Sequence, residues 1–599
     1  HFLADGVKID ASGDGRIRLA QELRATTNDI AATATRASGF ARIGTELWAF
    51  QGRDVYVWDW TNANWDQGTV PQAAAVVYRN GIEFATRTFV PSWDQSGHTP
   101  NRYIFKTDAD AAWTLIGAGT GTQLRGAKYF AKMRNASNLD MLVAAHIERA
   151  DDTVGTNILA STVTPQTIGS WSTEVAIGES DSEITNLLTT DDNKLLVFKT
   201  NGIYTYTTAG VVTNVTPDYQ PAPHPNNFKV VYDFNGRIIA TTGDNGLVEL
   251  SNSGESTRYI RRDISLRHYF PRLTDLQNPV VAISGTTDYL FLLVHDATNL
   301  KYYLLKGEIA ELEGVLDYRF HRVATITYTT STDADEATLF LEGMTNVSPA
   351  ATHHRVWIGI VNGGTATPPY AYPVSLLDVN WGYTNDTDAE GVTVKFDFGM
   401  PLIEKRLEGI DVEALNLGTG GRQIAFDYRL DNATSWTTLG TATQSPTVAI
   451  NFTPGISAKV LEMRVKPSQT SVTTTTPELI VLRIRGQLRP EPTQMIPVSI
   501  YLAEHQTLLN GTRGGGVRSP LTQLRVWDAQ AAAIILRSPD QSSARTVVIM
   551  PGTFREEQIH TEYGRSPEYL VSFVLLDVGD VTVEATLWDT ALWDQFTWT

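Results

Sequence analysis

Apolar residues in this chain come in short stretches that either alternate with polar ones or run together, and a turn residue closes nearly every stretch. Glu46-Leu-Trp-Ala-Phe50, Val55-Tyr-Val-Trp58, Tyr103-Ile-Phe-Lys106, Leu195-Leu-Val-Phe-Lys199, Ile203-Tyr-Thr-Tyr206, Arg237-Ile-Ile-Ala240, Leu247-Val-Glu-Leu250, Tyr289-Leu-Phe-Leu-Leu-Val294, Tyr302-Tyr-Leu-Leu305 and Val356-Trp-Ile-Gly-Ile360 are of this kind. Their spacing of roughly 8 to 15 residues predicts strands of an all-β domain. Asn201-Gly202, Asn235-Gly236 and Asp244-Asn-Gly246 lie between them and tolerate the positive φ of tight hairpins. "Strand, turn, strand" units recur near 45–58, 194–206, 228–250 and 286–306. They fit blades of roughly 45 to 55 residues, so 41–365 reads as a β-propeller-like domain of about six or seven blades.

The pattern changes at both ends of that domain. Residues 1–40 read as an N-terminal arm, with Arg16-Ile-Arg-Leu19 as one side of a hairpin, packing on the next domain or on a neighbour. After the Pro/Gly/Thr-rich linker Asn362–Pro369, alternation resumes in Val392–Phe398, Ile410–Glu413, Gln423–Tyr428, Val448–Phe452, Leu461–Val465 and Leu479–Ile484. Strands at that density over 366–490 are of β-sandwich scale. Over 491–580, Ser519-Pro520 offers an N-cap and a first-turn proline, and Leu521, Leu524 and Trp527 share a helical face. With Ala533–Leu536, Thr546–Ile549 and Tyr569–Leu575 as strands, this is a small α+β domain, followed by an aromatic tail over 581–599. The expected fold class is mainly β: propeller-like domain, sandwich, small α+β domain.

Length and charge narrow the function. At 599 residues the chain exceeds what one core supports. It has no cysteine, which removes disulfides, thiolate metal sites and a cysteine nucleophile. Its net charge is −18 with no basic block, so nucleic acid is not an expected partner. No apolar run reaches the roughly 18 residues of a membrane span, and the start lacks the pattern of a signal peptide. The chain opens on His1 and not Met, which points to processing, truncation or a missing start.

The order of parts, with Phe398-Gly399, Lys405-Arg-Leu-Glu-Gly-Ile-Asp-Val-Glu413, Tyr428-Arg-Leu-Asp431 and Ser435-Trp-Thr-Thr-Leu-Gly440 in the second domain, resembles tail-associated virion proteins of tailed bacteriophages. The resemblance covers roughly 390–599, and the propeller in style. It implies a structural protein of the tail tip, baseplate or nozzle, located in the virion and acting in assembly and host attachment. Its implied partners are other copies in a ring and other tail proteins. It brings no catalytic residues.

The candidate chemistry is sparse. Trp-Asp recurs at Trp58, Trp65, Trp93, Trp527, Trp588 and Trp593. An indole that fills a core beside a carboxylate that caps a turn explains such a step better than a sugar platform does. Trp588, Trp593, Phe596 and Trp598 crowd the end of the chain, and so much aromatic surface is expected to dock on this chain or a neighbouring subunit. Asp10-Ala-Ser-Gly-Asp14-Gly15 starts like a calcium loop, but Gln21 stands where the bidentate Glu belongs, so a hairpin turn is expected. Asp333–Glu336 and Asp386–Glu390 are acidic loops, and Gly514-Gly-Gly516 is a surface loop. Tyr428–Trp436 resembles the Asp-box hairpin of sialidases, a structural turn. His353 and His354 are neighbours that point to opposite faces of a strand. No zinc-protease helix, serine elbow or phosphate loop is present. The expectation is therefore a non-enzymatic protein without cofactor or metal. Host surface glycans are a second class of partner, and a polysaccharide hydrolase is a third reading that would need two carboxylates roughly 5 to 10 Å apart.

Overall fold

Strands that are apolar at consecutive positions must bury both faces, and this is what the chain does with them. The computed structural model describes residues 3–577 except 12–15, 27–36, 53, 72–76, 94–101, 173, 191, 208, 216–220, 253–258, 271–272, 313–314, 329–336, 342–344, 349–350, 361–368, 375–380, 399, 401–402, 489–493, 504–517, 531–533, 538–543 and 561–567. The protein is mainly β, with one helix longer than four residues among those described. It divides into two compact units: Ala4–Ala389 with Gln469–Thr476, and Glu390–Ser468 with Leu3 and the described residues from Pro477 on.

Among the described residues the first unit contains seven successive antiparallel meanders of four strands, six of them separate sheets and one, the sixth, part of a larger sheet in which Val315–Thr327 also pairs in parallel with Leu3–Val7. The first comprises Ala37–Ile43, Glu46–Gln51, Asp54–Asp59 and Asn64–Gln67, and the second runs from Ile82 to Leu115. The third spans Leu124 to Ala176, the fourth Ile184 to Asn214 and the fifth Val231 to Asp263. The sixth is Val280–Gly285, Leu290–Asp296, Lys301–Leu312 and Val315–Thr327. In the seventh, Thr338–Leu341, Arg355–Gly359 and Tyr370–Pro373 are joined by Arg24–Ala25 from the start of the chain, where Tyr370 lies opposite Ala25. Two-residue strands carry no readable periodicity, which is why this one is silent in the sequence.

The cores lie between the meanders. Leu47 and Ala49 of the first face Trp357 and Ala371 of the seventh, whereas Trp48 and Phe50, one residue on, face Val90, Ile104 and Trp113 of the second. The same alternation repeats around the unit. Leu195 and Val197 share a core with the third meander, while Leu196 and Phe198 share one with the fifth. Leu290, Leu292 and Val294 face the fifth, while Phe291 and Leu293 face the seventh. Phe84 and Phe89 share a core with Leu142 and Ala144, which joins the second meander to the third. Each meander thus packs on the next, and the seventh on the first.

In the second unit, Lys405–Leu415 pairs with Glu478–Leu488 and Thr447–Asn451, while Gln423–Leu430 pairs with Thr437–Ala442 and Leu461–Ser468. A further sheet contains Gln494–Leu502, Ile534–Arg537, Ala544–Ile549, Arg555–His560 and Glu568–Asp577. The helix Arg518–Gln530 lays Leu521, Leu524 and Trp527 on its Ile500, Val547, Val571 and Phe573 side. It starts one residue before the Ser519 N-cap expected from sequence.

Candidate functional site

The sixth meander carries a feature at odds with its apolar surroundings. Lys306 continues the run Tyr302-Tyr-Leu-Leu305 and is fully buried. Its ammonium donates to Asp10 Oδ2 at 2.8 Å and lies 4.1 Å from the centre of the Tyr289 ring. Asp10 is buried as well, on Ile9–Asp10, which pairs with Ile17–Leu19. Desolvating two charges is repaid only by close geometry of this kind. Opposite Lys306 across the strand pair stands His321, which is buried, with no hydrogen-bond partner for either ring nitrogen among the described residues. Burial pushes its pKa down to about 4, against the pull of the Asp10 charge.

Beside Tyr289 lies a cavity of about 340 Å³, lined by Phe234, Asn235, Thr287, Asp288, Tyr289, Glu308 and Ile309. Two hairpin turns from neighbouring meanders form its rim. Asn235 and Gly236 both take positive φ, and the Gly236 amide donates to Asp233 Oδ1 at 2.9 Å. In the other turn, Thr286 Oγ1 accepts from the amides of Asp288 and Tyr289 at 3.1 and 3.0 Å. Two cross-ties hold the turns together: Asn235 Nδ2 donates to the Thr287 carbonyl at 2.5 Å, and the Tyr232 hydroxyl to the Gly285 carbonyl at 2.6 Å. The Asp288 carboxylate is exposed and has no protein partner among the described residues, while Glu308 Oε1 stands 3.9 Å from Arg319 Nη1. The site can therefore accept hydrogen bonds from a ligand on a frame that is already set.

The residues singled out from sequence fall elsewhere. Trp58 and Trp65 are buried and form an edge-on triangle with Trp357, with ring centres 5.1 to 5.4 Å apart. Asp59 caps the next turn by accepting from the Thr61 amide at 2.7 Å. Trp93 stacks edge-on against the buried His146, and Trp527 belongs to the helix core. Trp588, Trp593, Phe596 and Trp598 lie outside the described residues, as do Asp333–Glu336, Gly514–Gly516 and the side chain of His353. In the acidic loop at 386–390, Asp386 and Asp388 pair with Lys8 at 3.0 and 3.6 Å. Asp431 accepts from the amides of Lys459 and Val460, and Trp436 is flanked by Arg429 and Arg464. Among the described residues no group of His, Asp and Glu gathers as metal ligands do.

Sequence reasoning did not single out Lys306, Asp288 or Glu308, and it read Asp10 only as the start of a hairpin turn, where Ile9–Asp10 does pair with Ile17–Leu19, and not as the partner of a lysine. The available signal was the lysine inside an apolar strand, since a buried charge demands a partner.

No protein-family model matches the chain, and no curated protein does. Among solved structures it is similar to the extracellular domain of a protein described as a hybrid two component system from B. thetaiotaomicron. The identity there is 11% and the TM-score 0.37, over 73% of this chain and 48% of that one. An extracellular domain described as part of a one component system from the same organism gives 13% identity and a TM-score of 0.32, over 59% and 51%. The chain thus spans about half the length of these solved chains. Likeness at this level carries no argument about function.

Proposed function

We propose that this chain is a non-enzymatic structural component of a bacteriophage tail, at the tip, baseplate or nozzle, and that it acts in assembly and host attachment. The observation that carries the reading is the cycle of shared cores, in which seven meanders pack each on the next and the N-terminal Arg24–Ala25 completes the last. We read this as a seven-bladed β-propeller, an architecture that leaves only short, protected edges. The paired strands from Lys405 to Leu488 we read as a β-sandwich, and the helix with its sheet as a small α+β domain. Propeller, sandwich and α+β unit then follow in the order on which the resemblance to tail-associated virion proteins rests.

A ring with few free edges and a net charge of −18 resists edge-to-edge association, so contacts between copies fall to dedicated surfaces. The aromatic tail with Trp588, Trp593, Phe596 and Trp598 is the surface we assign to contacts with further copies or other tail proteins. Electron cryo-microscopy of the intact particle tests the reading. It is expected to place several copies in a ring at the tail end. Recovery of the chain only as a free monomer outside any particle would overturn it.

A further inference from the structure

We propose that residues 6–10 of the N-terminal arm form an acid-released strap on the sixth meander, with His321 as its trigger. At neutral pH the strap closes the pocket that holds Lys306 and His321, and a proton on the imidazole tips it toward release. The device goes beyond an assembly role and does not depend on one.

The pocket is built from both ends of the first unit. Lys306 comes from Lys301–Leu312, His321 stands opposite it on Val315–Thr327, and the arm closes a further side. Val7 pairs in parallel with Arg322, and the Lys8 amide donates to the Arg322 carbonyl at 2.6 Å. A Cβ added at Gly6 would lie 3.1 Å from His321 Nδ1, so the arm backbone lies directly against the ring.

Charge decides what acid does there. Asp10 brings a carboxylate from the arm, Lys306 a cation from the paired strand, and Arg319, with Glu308 at 3.9 Å, a second cation from the strand of the imidazole itself. Tyr372 is buried near Asp10, while Lys8 turns to Asp386 and Asp388 at 3.0 and 3.6 Å. Asp10 already accepts from the Lys306 ammonium at 2.8 Å, and neither ring nitrogen of His321 has a hydrogen-bond partner among the described residues. A proton on the ring therefore adds a buried cation beside a carboxylate that already holds one, and water is what would solvate it. Burial pushes the His321 pKa down from 6.5 to about 4, so the closed pocket keeps the ring neutral where an open one charges it.

The arm is the wall that yields. Lys301–Leu312 and Val315–Thr327 pair along their length, from Lys301 opposite Thr327 to Leu312 opposite Val315. The arm is held by shorter pieces, in which Ile9 and Asp10 pair with Leu19 and Arg18 and Val7 with Arg322. Opening costs least where the fewest ladder bonds must break. Because the pKa is lowered in the closed state, the stability of that state is whole above about pH 6.5 and is lost as pH falls toward about 4. Between pH 8 and pH 5 the open fraction of the arm should therefore rise about thirtyfold.

The test is hydrogen–deuterium exchange of the full chain at pH 8 and pH 5, read by mass spectrometry and corrected for the pH dependence of intrinsic amide exchange. Protection over residues 6–10 should fall about thirtyfold, while that of Glu46–Gln51 in the first meander stays level. His321→Gln should abolish the fall, and His321→Phe, which fills the space of the ring without a titrating group, should do the same. Equal protection at both pH values, a fall that both variants keep, an arm already unprotected at pH 8, or an equal fall in Glu46–Gln51 would each overturn the strap. None of these results bears on whether a particle carries the chain, which imaging decides, so either reading can fail while the other stands.

Discussion

Leu290–Asp296 in the first unit and Thr447–Asn451 in the second are strands of similar length in opposite situations. The former is buried at every position, and the latter alternates between exposed and half-buried residues. The cause is layering. A meander held between two neighbours has no solvent face, so Leu292 and Leu293 enter different cores although they are adjacent in sequence. A strand with one wet face can spend every second residue on water, and its sequence, Thr-Val-Ala-Ile-Asn, says so. Local hydrophobic density therefore reports how many faces a sheet must hide, and mutational cost should follow it.

The largest expected effect is at Trp65, which touches both Trp58 and Trp357 and donates from its indole nitrogen to Thr26 Oγ1 at 3.0 Å. Trp65→Ala should cost about 3–5 kcal/mol in chemical denaturation. A loss below ~1 kcal/mol would mean that the first and seventh meanders do not share a core. Next comes the buried pair. Lys306→Met strands the Asp10 carboxylate and should destabilise by about 3–5 kcal/mol, whereas Asp10→Leu with Lys306→Met should recover most of that loss. A double variant no more stable than the single would show that the charge was not the cause.

Acid provides the third contrast. His321 is held neutral in the folded chain, with its pKa pushed from 6.5 down to about 4 by burial, so the unfolded chain takes up this proton at higher pH. Its contribution to stability is whole above about pH 6.5 and is lost as pH falls toward about 4, amounting to roughly 3 kcal/mol at most. Urea midpoints between pH 8 and pH 4 should show that decline, and His321→Phe should flatten it. Buried His146, whose pKa falls to about 3 mainly through burial, keeps part of the slope. An unchanged slope in His321→Phe would assign the decline to other groups. The smallest effect belongs to the wet strand: Ile450→Ala, half-buried, should cost under about 1 kcal/mol by the same denaturation assay. A cost equal to that of Trp65→Ala would erase the contrast between the two units.

The mainly β class was legible because period and turn chemistry agree locally. Asn235-Gly236 is a hairpin turn with both residues at positive φ, and Leu195–Lys199 is a strand. The site was not legible, because its parts are distant in sequence. Asp10 and Lys306 are 296 residues apart, and Asn235 meets Thr287 across 52. No local pattern encodes such pairings. Arg24–Ala25 was hidden for a different reason: two residues cannot display a period, and their place is set by what the seventh meander lacks. The Trp-Asp steps were conspicuous in sequence, yet at Trp58 and Asp59 they build a core and a turn. Recurrence drew the eye to packing, while the cavity beside Tyr289 left no repeated mark.

The measurement closest to the central claim is an electron cryo-microscopy density map of the purified chain, read along the axis of the first unit. The account predicts seven meanders of four antiparallel strands in an unbroken ring, with Arg24–Ala25 paired to Tyr370–Pro373 and Trp65 packed against Trp357. A solvent gap between the first and seventh sheets, or a different number of sheets around the axis, would contradict it.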